Sequence, residues 1–277
     1  SVTGYAGAAI VAIASVSFIA NRQEGWPWRL SPEAREVADL QRFGFWPCSR
    51  SPQSKCAFGA VNEPVGVQLI GDSFAAQYVA TVDPVARDAG VRGEAYTEEG
   101  CPMLTGIVRT GFDGTAKCKL QRDKYLDAVR KNELPLVLSQ SWMTYGDALH
   151  SELNGSVPRT SSIEVWRVGI EDTIRDLGAH GRKFLIIAPG VEPGCRSQMT
   201  RFEPGPLWHA PTKPCPAVSP QQVEATNRDF NAMLLGVQRR YRDQVRIRYP
   251  HEYLCDAECP IDVNGLWLDW DVNHLTV

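Results

Sequence analysis

Two short segments, far apart in the chain, carry residue types able to do nucleophilic chemistry together. The first is Gly71-Asp72-Ser73-Phe74-Ala75, which follows the apolar run at 65–70 (VGVQLI) and opens a helical pattern over about 75–89. In open α/β sheets, ligands bind outside the carboxyl ends of the strands. A serine at the start of a helix there offers a hydroxyl nucleophile, and its own N–H can stabilise an oxyanion. The bland alternative is a helix cap, with Asp72 or Ser73 accepting from first-turn N–H groups. The chain contains no G-x-S-x-G, so the common α/β-hydrolase elbow is not present.

The second segment is 267–275 (WLDWDVNHL), where Asp271 stands three residues before His274. On a turn or incipient helix this spacing brings both to one side. A carboxylate can then hold the imidazole tautomer while the other ring nitrogen takes a serine proton. Asp269 is a rival carboxylate, and a plain surface turn explains a D-x-x-H pair equally well. Beside the strand–GDS–helix element, however, the pair completes the order Ser…Asp…His.

Elements able to position these groups are readable along the chain. Strands are expected at 65–70, 91–97, 134–139, 183–188 and 245–249, and helices at 75–89, 119–132, 163–179 and 220–241. Ser219 and Pro220 read as the N-cap and first turn of the last helix. The Pro-rich stretch 189–218 reads as a long loop. Strands alternating with helices predict an α/β fold with a mostly parallel sheet covered on both faces. Hydrophobic residues at 43% and charged residues at 22% allow a packed core, and a net charge of −3 excludes a general nucleic-acid binder.

Residues 1–21 carry no charged side chain, and 5–20 (YAGAAIVAIASVSFIA) form an apolar, small-residue run close to bilayer-spanning length. We read residues 1–24 as a transmembrane helix, the last of a larger membrane part, with a cleaved signal or a buried Ala-rich helix as alternatives. Arg22, Trp26 and Trp28 would then sit at the interface. Residues 25–63 read as a linker that packs on the domain, and 64–277 as the catalytic domain.

With these residues in place, the sequence resembles the SGNH, or GDSL-like, hydrolase superfamily. Gly71-Asp72-Ser73 matches its first block and Asp271-Val272-Asn273-His274 its last. Thr97-Glu98-Glu99-Gly100-Cys101-Pro102 resembles the second block and 138–145 (LSQSWMTY) the third. The anchor and Gly25-Trp26-Pro27-Trp28-Arg29 are similar to the context of SGNH domains fused to acyltransferase-3 membrane proteins. The resemblance implies a three-layer α/β/α, flavodoxin-like fold. It also implies O-acyl transfer, with acetyl the expected group, onto a cell-surface glycan such as lipopolysaccharide O-antigen. Acetyl-CoA would be the ultimate donor through the membrane part in cis, and the domain itself would hold no cofactor. The implied location is the bacterial inner membrane, with the catalytic domain in the periplasm.

On this reading Ser73 is the nucleophile, His274 the general base and then acid, and Asp271 the residue that orients His274. Gly100 offers a backbone N–H to the oxyanion, or is a plain turn glycine. Asp72 is expected to be structural, satisfying backbone donors around the turn. The third block normally supplies an Asn, and none stands between Leu134 and Leu149. Gln140 or backbone near Trp142 are the replacements considered. Trp142, Tyr145 and Trp208 are candidates for stacking on sugar rings, with core packing as the alternative for each.

The eight cysteines fall as neighbours, Cys48/Cys56, Cys101/Cys118, Cys195/Cys215 and Cys255/Cys259. Local disulfides in an oxidising compartment are the simplest reading. Zinc held by His251, Cys255 and Cys259 is the rival, with no C-x-x-C to support it. Three function classes follow: an O-acyltransferase, a carbohydrate or lipid esterase with the same triad, and a glycan-binding module without catalysis.

Overall fold

The computed structural model describes residues 13–19, 22, 56–110, 114–151, 162–191, 217–260, 262–263 and 266–267. The chain divides into two compact units, one of residues 1–44 and 198–214, the other of 45–197 and 215–277. In the first unit residues 13–19 are helical, Ile13, Val16, Phe18 and Ile19 are exposed, and the Arg22 guanidinium lies 5.2 Å from the Phe18 ring centroid. Among the described residues no helix is long and apolar enough to cross a membrane. Most of the expected transmembrane segment and linker lies outside them.

The second unit is built on a six-stranded sheet. Its strands are β1 (Cys56–Gly59), β2 (Val65–Gly71), β3 (Arg92–Thr97), β5 (Leu136–Ser139), β7 (Phe184–Ile187) and β8 (Val245–Arg248), in the spatial order β1-β3-β2-β5-β7-β8. All neighbours run parallel except β1, which pairs antiparallel with the edge of β3. Without β1, the five parallel strands in chain order stand 2-1-3-4-5, the flavodoxin-like arrangement. Strand order reverses between β2 and β5. β1 lies within the segment read from sequence as linker, where Pro and Ser signals obscure a four-residue strand.

Helices cover both faces. On one side lie α1 (Ser73–Gln77) and α2 (Val79–Asp88). On the other lie α3 (Thr115–Arg130), α4 (Ser162–Leu177) and α5 (Pro220–Arg240). Side-chain alternation along the strands divides the core accordingly. Leu69, Ala95, Val137 and Ile187 join Ala75, Val79 and Ala86 in one cluster. Ile70, Leu138, Ile186 and Ile247 join Tyr125, Trp166, Ile170, Phe230 and Leu234 in the other. Burying a large apolar side chain such as Trp166 contributes about 1.5–3 kcal/mol.

The local signals explain most boundaries. Ser219 and Gln222 form a reciprocal capping box: Gln222 N–H donates to Ser219 Oγ at 3.2 Å, and Ser219 N–H donates to Gln222 Oε1 at 2.7 Å. The helix expected over 75–89 is instead two helices that meet at Tyr78, whose N–H donates to Ala75 O while its own carbonyl accepts from Val82 N–H. Outside the main sheet, β4 (Ile107–Arg109) and β6 (Leu149–Ser151) pair antiparallel, tying the loop after β3 to the loop after β5. The short helix α6 (His251–Leu254), the two-residue strands β9 (Asp262–Val263) and β10 (Leu266–Trp267), and 3-10 turns at Gly146–Ala148 and Ala179–Gly181 are also described.

Candidate active site

Register brings the sequence blocks together. Thr97 lies beside Gly71, and Gly71 beside Ser139, on neighbouring parallel strands. The segments that follow these three residues therefore emerge side by side at the carboxyl edge, at the reversal of strand order. They are Asp72–Ser73, Glu98–Gly100 and Gln140–Trp142. Gly71 is required by close approach, since a Cβ there would lie 1.8 Å from Ser139 O and 2.6 Å from Ala75 Cβ.

Asp72 is fully buried and turned inward. Its Oδ1 accepts from Phe74 N–H at 2.8 Å, which caps α1. Its Oδ2 accepts from Ser141 N–H at 2.8 Å and from the Tyr145 hydroxyl. The Asp72 carbonyl takes the N–H groups of Ala75 and Ala76. The residue thus stitches the start of α1 to the loop after β5, which is the structural role expected for it. Burial, and then the Asp72 charge, hold the Tyr145 hydroxyl well above the usual phenol range, so it stays a donor.

Ser73 is half-buried at the mouth of a polar cleft lined by Asp72, Ala76, Thr97, Glu98, Glu99 and Lys117. Lys117 Nζ pairs with Glu98 in this cleft, which raises the Lys117 pKa. A second cleft, bordered by Phe74, Gln140 to Thr144 and Pro189 to Val191, opens beside the other flank of the same helix start.

Gly100 sits in a tight turn. Cys101 N–H closes onto Glu98 O at 3.2 Å and Gly100 has φ +68°, whereas Glu99 is not among the residues of positive φ. Those features define a type II turn, whose third position suits glycine. The turn is anchored at three points. Glu98 N–H donates to Gly71 O at 3.3 Å, Cys101 is disulfide-bonded to Cys118 on α3, and Arg109 Nη1 donates to Gly100 O at 3.1 Å.

Trp142 borders the second cleft, but its indole is a core group. It is 3% exposed, donates Nε1–H to Ile187 O at 2.8 Å, and packs against Trp166 and Phe230. Its backbone N–H donates to Gln140 O, and the Ser141 N–H is taken by Asp72, so neither is open to a substrate oxygen in this arrangement. Gln140 is fully buried. Its Oε1 accepts from Met103 N–H at 3.4 Å, while its Nε2 finds no partner among the described residues. Tyr145 is likewise buried rather than presented for stacking.

Asp271, His274, the rival Asp269, and Trp208 lie outside the described residues. Of the Pro-rich loop, the start at Pro189–Val191 borders the second cleft, and at its end Val218 bridges to Cys259. The cysteines at 101/118 and 255/259 are joined as disulfides, and Cys56 is disulfide-bonded as well. Bonded to each other, Cys255 and Cys259 have no thiolate to offer zinc. Sequence reasoning missed Arg109, which lies in no motif and is brought to Gly100 only by the β4–β6 pairing.

Comparison with known proteins agrees with this architecture. A family model described as "SGNH domain (fused to AT3 domains)" matches residues 42–277. Among solved structures, the lipopolysaccharide acetyltransferase periplasmic domain of Salmonella ser. Paratyphi A superposes with a TM-score of 0.56 at 14% identity, covering 89% of this chain and 92% of that one. At that identity the likeness concerns the fold. No curated protein matches. With the family match spanning most of the chain, and the GDS segment seated at the reversal of a flavodoxin-like sheet, the chain belongs to the family of SGNH domains fused to AT3 domains.

Proposed function

We propose that this domain is an O-acyltransferase that moves an acyl group, expected to be acetyl, onto a hydroxyl of a cell-surface glycan such as lipopolysaccharide O-antigen. Family membership supports an acyl-transferring or ester-hydrolysing enzyme. The observation that carries the reading is the placement of Ser73. It stands at the strand-order reversal, facing a polar cleft, while the neighbouring Asp72 is fully occupied in holding the turn.

In the proposed cycle, Ser73 Oγ attacks the acyl carbonyl and His274 takes its proton, with Asp271 fixing the imidazole tautomer. The Ser73 and Gly100 N–H groups hold the oxyanion. Collapse expels the donor's leaving group, which receives the proton from His274, and leaves acyl-Ser73. A sugar hydroxyl then enters and attacks the acyl carbonyl, His274 removes its proton and returns it to Ser73 Oγ as the ester bond to Ser73 breaks, and the acyl group passes to the glycan. The donor would be supplied by the fused membrane part, ultimately from acetyl-CoA, with the domain in the periplasm. Disulfides at 101/118 and 255/259 support that compartment.

The test uses an activated acetyl ester with and without an oligosaccharide acceptor. Transfer predicts acetylated sugar and slow acetate release when acceptor is absent. Fast acetate release indifferent to acceptor identifies an esterase with the same triad. Ser73→Ala and His274→Ala should each abolish turnover, with the double variant little worse than either. Full activity in Ser73→Ala ends the serine mechanism.

A further inference from the structure

Arg109 belongs to none of the sequence blocks, yet it joins two of them. It ends β4, opposite Leu149 of β6. Its Nη1 donates to Gly100 O at 3.1 Å, and its guanidinium carbon lies 5.1 Å from the centroid of the Tyr145 ring. The Tyr145 hydroxyl donates to Asp72 Oδ2, and Asp72 Oδ1 holds the Phe74 N–H. A continuous chain of contacts therefore runs from the Glu98–Cys101 turn to both neighbours of Ser73.

The turn's other two anchors act at its ends, on Glu98 and on Cys101. Arg109 grips Gly100 itself. The fit is close, because a Cβ on Gly100 would meet Arg109 Nη1 at 3.0 Å, and the φ of +68° disfavours a side chain independently. A guanidinium suits both contacts at once, an N–H aimed at a carbonyl and a delocalised cation over an aromatic ring. Lysine could supply the donor, but its single ammonium serves both contacts less well.

We propose that Arg109 is a positioning residue for acyl transfer. It holds the Gly100–Cys101 peptide through the Gly100 carbonyl, and thereby restrains the adjoining Glu99–Gly100 peptide, which carries the Gly100 N–H, by clamping the turn to Tyr145 and, through it, to Asp72. This rests on the reading of Ser73 as the acyl carrier and the Gly100 N–H as an oxyanion donor. The Gly100 N–H that it positions acts on charge that develops only as the carbonyl is attacked, so loss of Arg109 should appear in kcat and leave ester binding alone.

The experiment measures turnover of p-nitrophenyl acetate by the intact chain for wild type, Arg109→Ala, Arg109→Lys and Ser73→Ala, with folded protein checked by cooperative urea unfolding. We expect Arg109→Ala to lower kcat about 10- to 100-fold, the scale of a displacement near 1 Å, with KM within about 2-fold. Arg109→Lys should keep part of the rate. Added ethylguanidinium should restore part of the Arg109→Ala rate and none of the Ser73→Ala rate. An Arg109→Ala kcat within about 2-fold of wild type overturns the inference while leaving the serine mechanism standing, as does a loss that matches the unfolded fraction and resists ethylguanidinium. Wild-type turnover in Ser73→Ala overturns the reading of the site and this inference together.

Discussion

Replacing Asp72 with Asn separates what this carboxylate holds together from what Ser73 does. The carboxylate is fully buried and receives the Phe74 N–H on one oxygen and both the Ser141 N–H and the Tyr145 hydroxyl on the other. An Asn keeps one oxygen, which can retain the cap on Phe74 with little change, since Asn and Asp are comparable N-caps. Its amide nitrogen then faces two donors. The Tyr145 hydroxyl can turn to accept, but the Ser141 N–H is fixed by the backbone and is left opposite another donor. A buried, orphaned donor costs about 1–3 kcal/mol, and replacing the charge-assisted bond at Tyr145 by a neutral one of reversed direction adds about 1 kcal/mol. The expected loss is therefore about 2–4 kcal/mol, or roughly 5–12 °C in Tm for a domain of this size. Turning the amide the other way moves the orphan to Phe74 and costs a similar amount. Urea unfolding followed by the fluorescence of the buried Trp142 and Trp166 measures it, with a double-mutant cycle against Tyr145→Phe isolating the pair. A loss under about 0.5 kcal/mol would refute the reasoning, because an occupied buried carboxylate cannot be neutralised so cheaply. Asp72→Asn that stays fully stable yet loses all turnover would transfer the residue from architecture to chemistry.

Two further outcomes follow from the same region. The Tyr145 hydroxyl has a pKa raised by burial and then by Asp72, so the unfolded chain ionises near the ordinary value of 10.0 while the folded one stays protonated. Its stabilising contribution is complete below that pH and drains away as pH rises toward the folded value, so Tyr145→Phe should lessen the alkaline fall in stability. An unchanged alkaline slope counts against the buried bond to Asp72. The Cys101–Cys118 bridge spans 17 residues and pins the Gly100 turn to α3. Replacing both cysteines with Ser should cost about 3 kcal/mol in urea unfolding, and no measurable change would show that the bridge constrains little.

The Gly71-Asp72-Ser73 segment was legible because it coincides with a local signal. Val65 to Ile70 is an apolar run ended by Gly71, and the packing of Ser139 O against Gly71 leaves room only for glycine. The parallel sheet was legible from strands alternating with helices, and Ser219 announced α5 through its capping box. The local cysteine pairs at 101/118 and 255/259 followed from proximity in sequence. What sequence left open depends on contacts between segments distant in the chain. Which groups take up the second oxygen of Asp72 is decided by Ser141 and Tyr145, about 70 residues away. Whether Trp142 faces sugar or core is decided by Ile187, Trp166 and Phe230. The edge strand β1 is too short to carry a period of its own and exists through its pairing with β3. Arg109 carries no local signal at all, since a cation at the end of a three-residue strand reads as solvated surface. Only the antiparallel pairing of β4 with β6 brings its guanidinium between Gly100 and Tyr145. Periodicity and turn chemistry act over a few residues and are written in the sequence, whereas hydrogen-bond satisfaction in a buried site is a property of the assembled sheet edge.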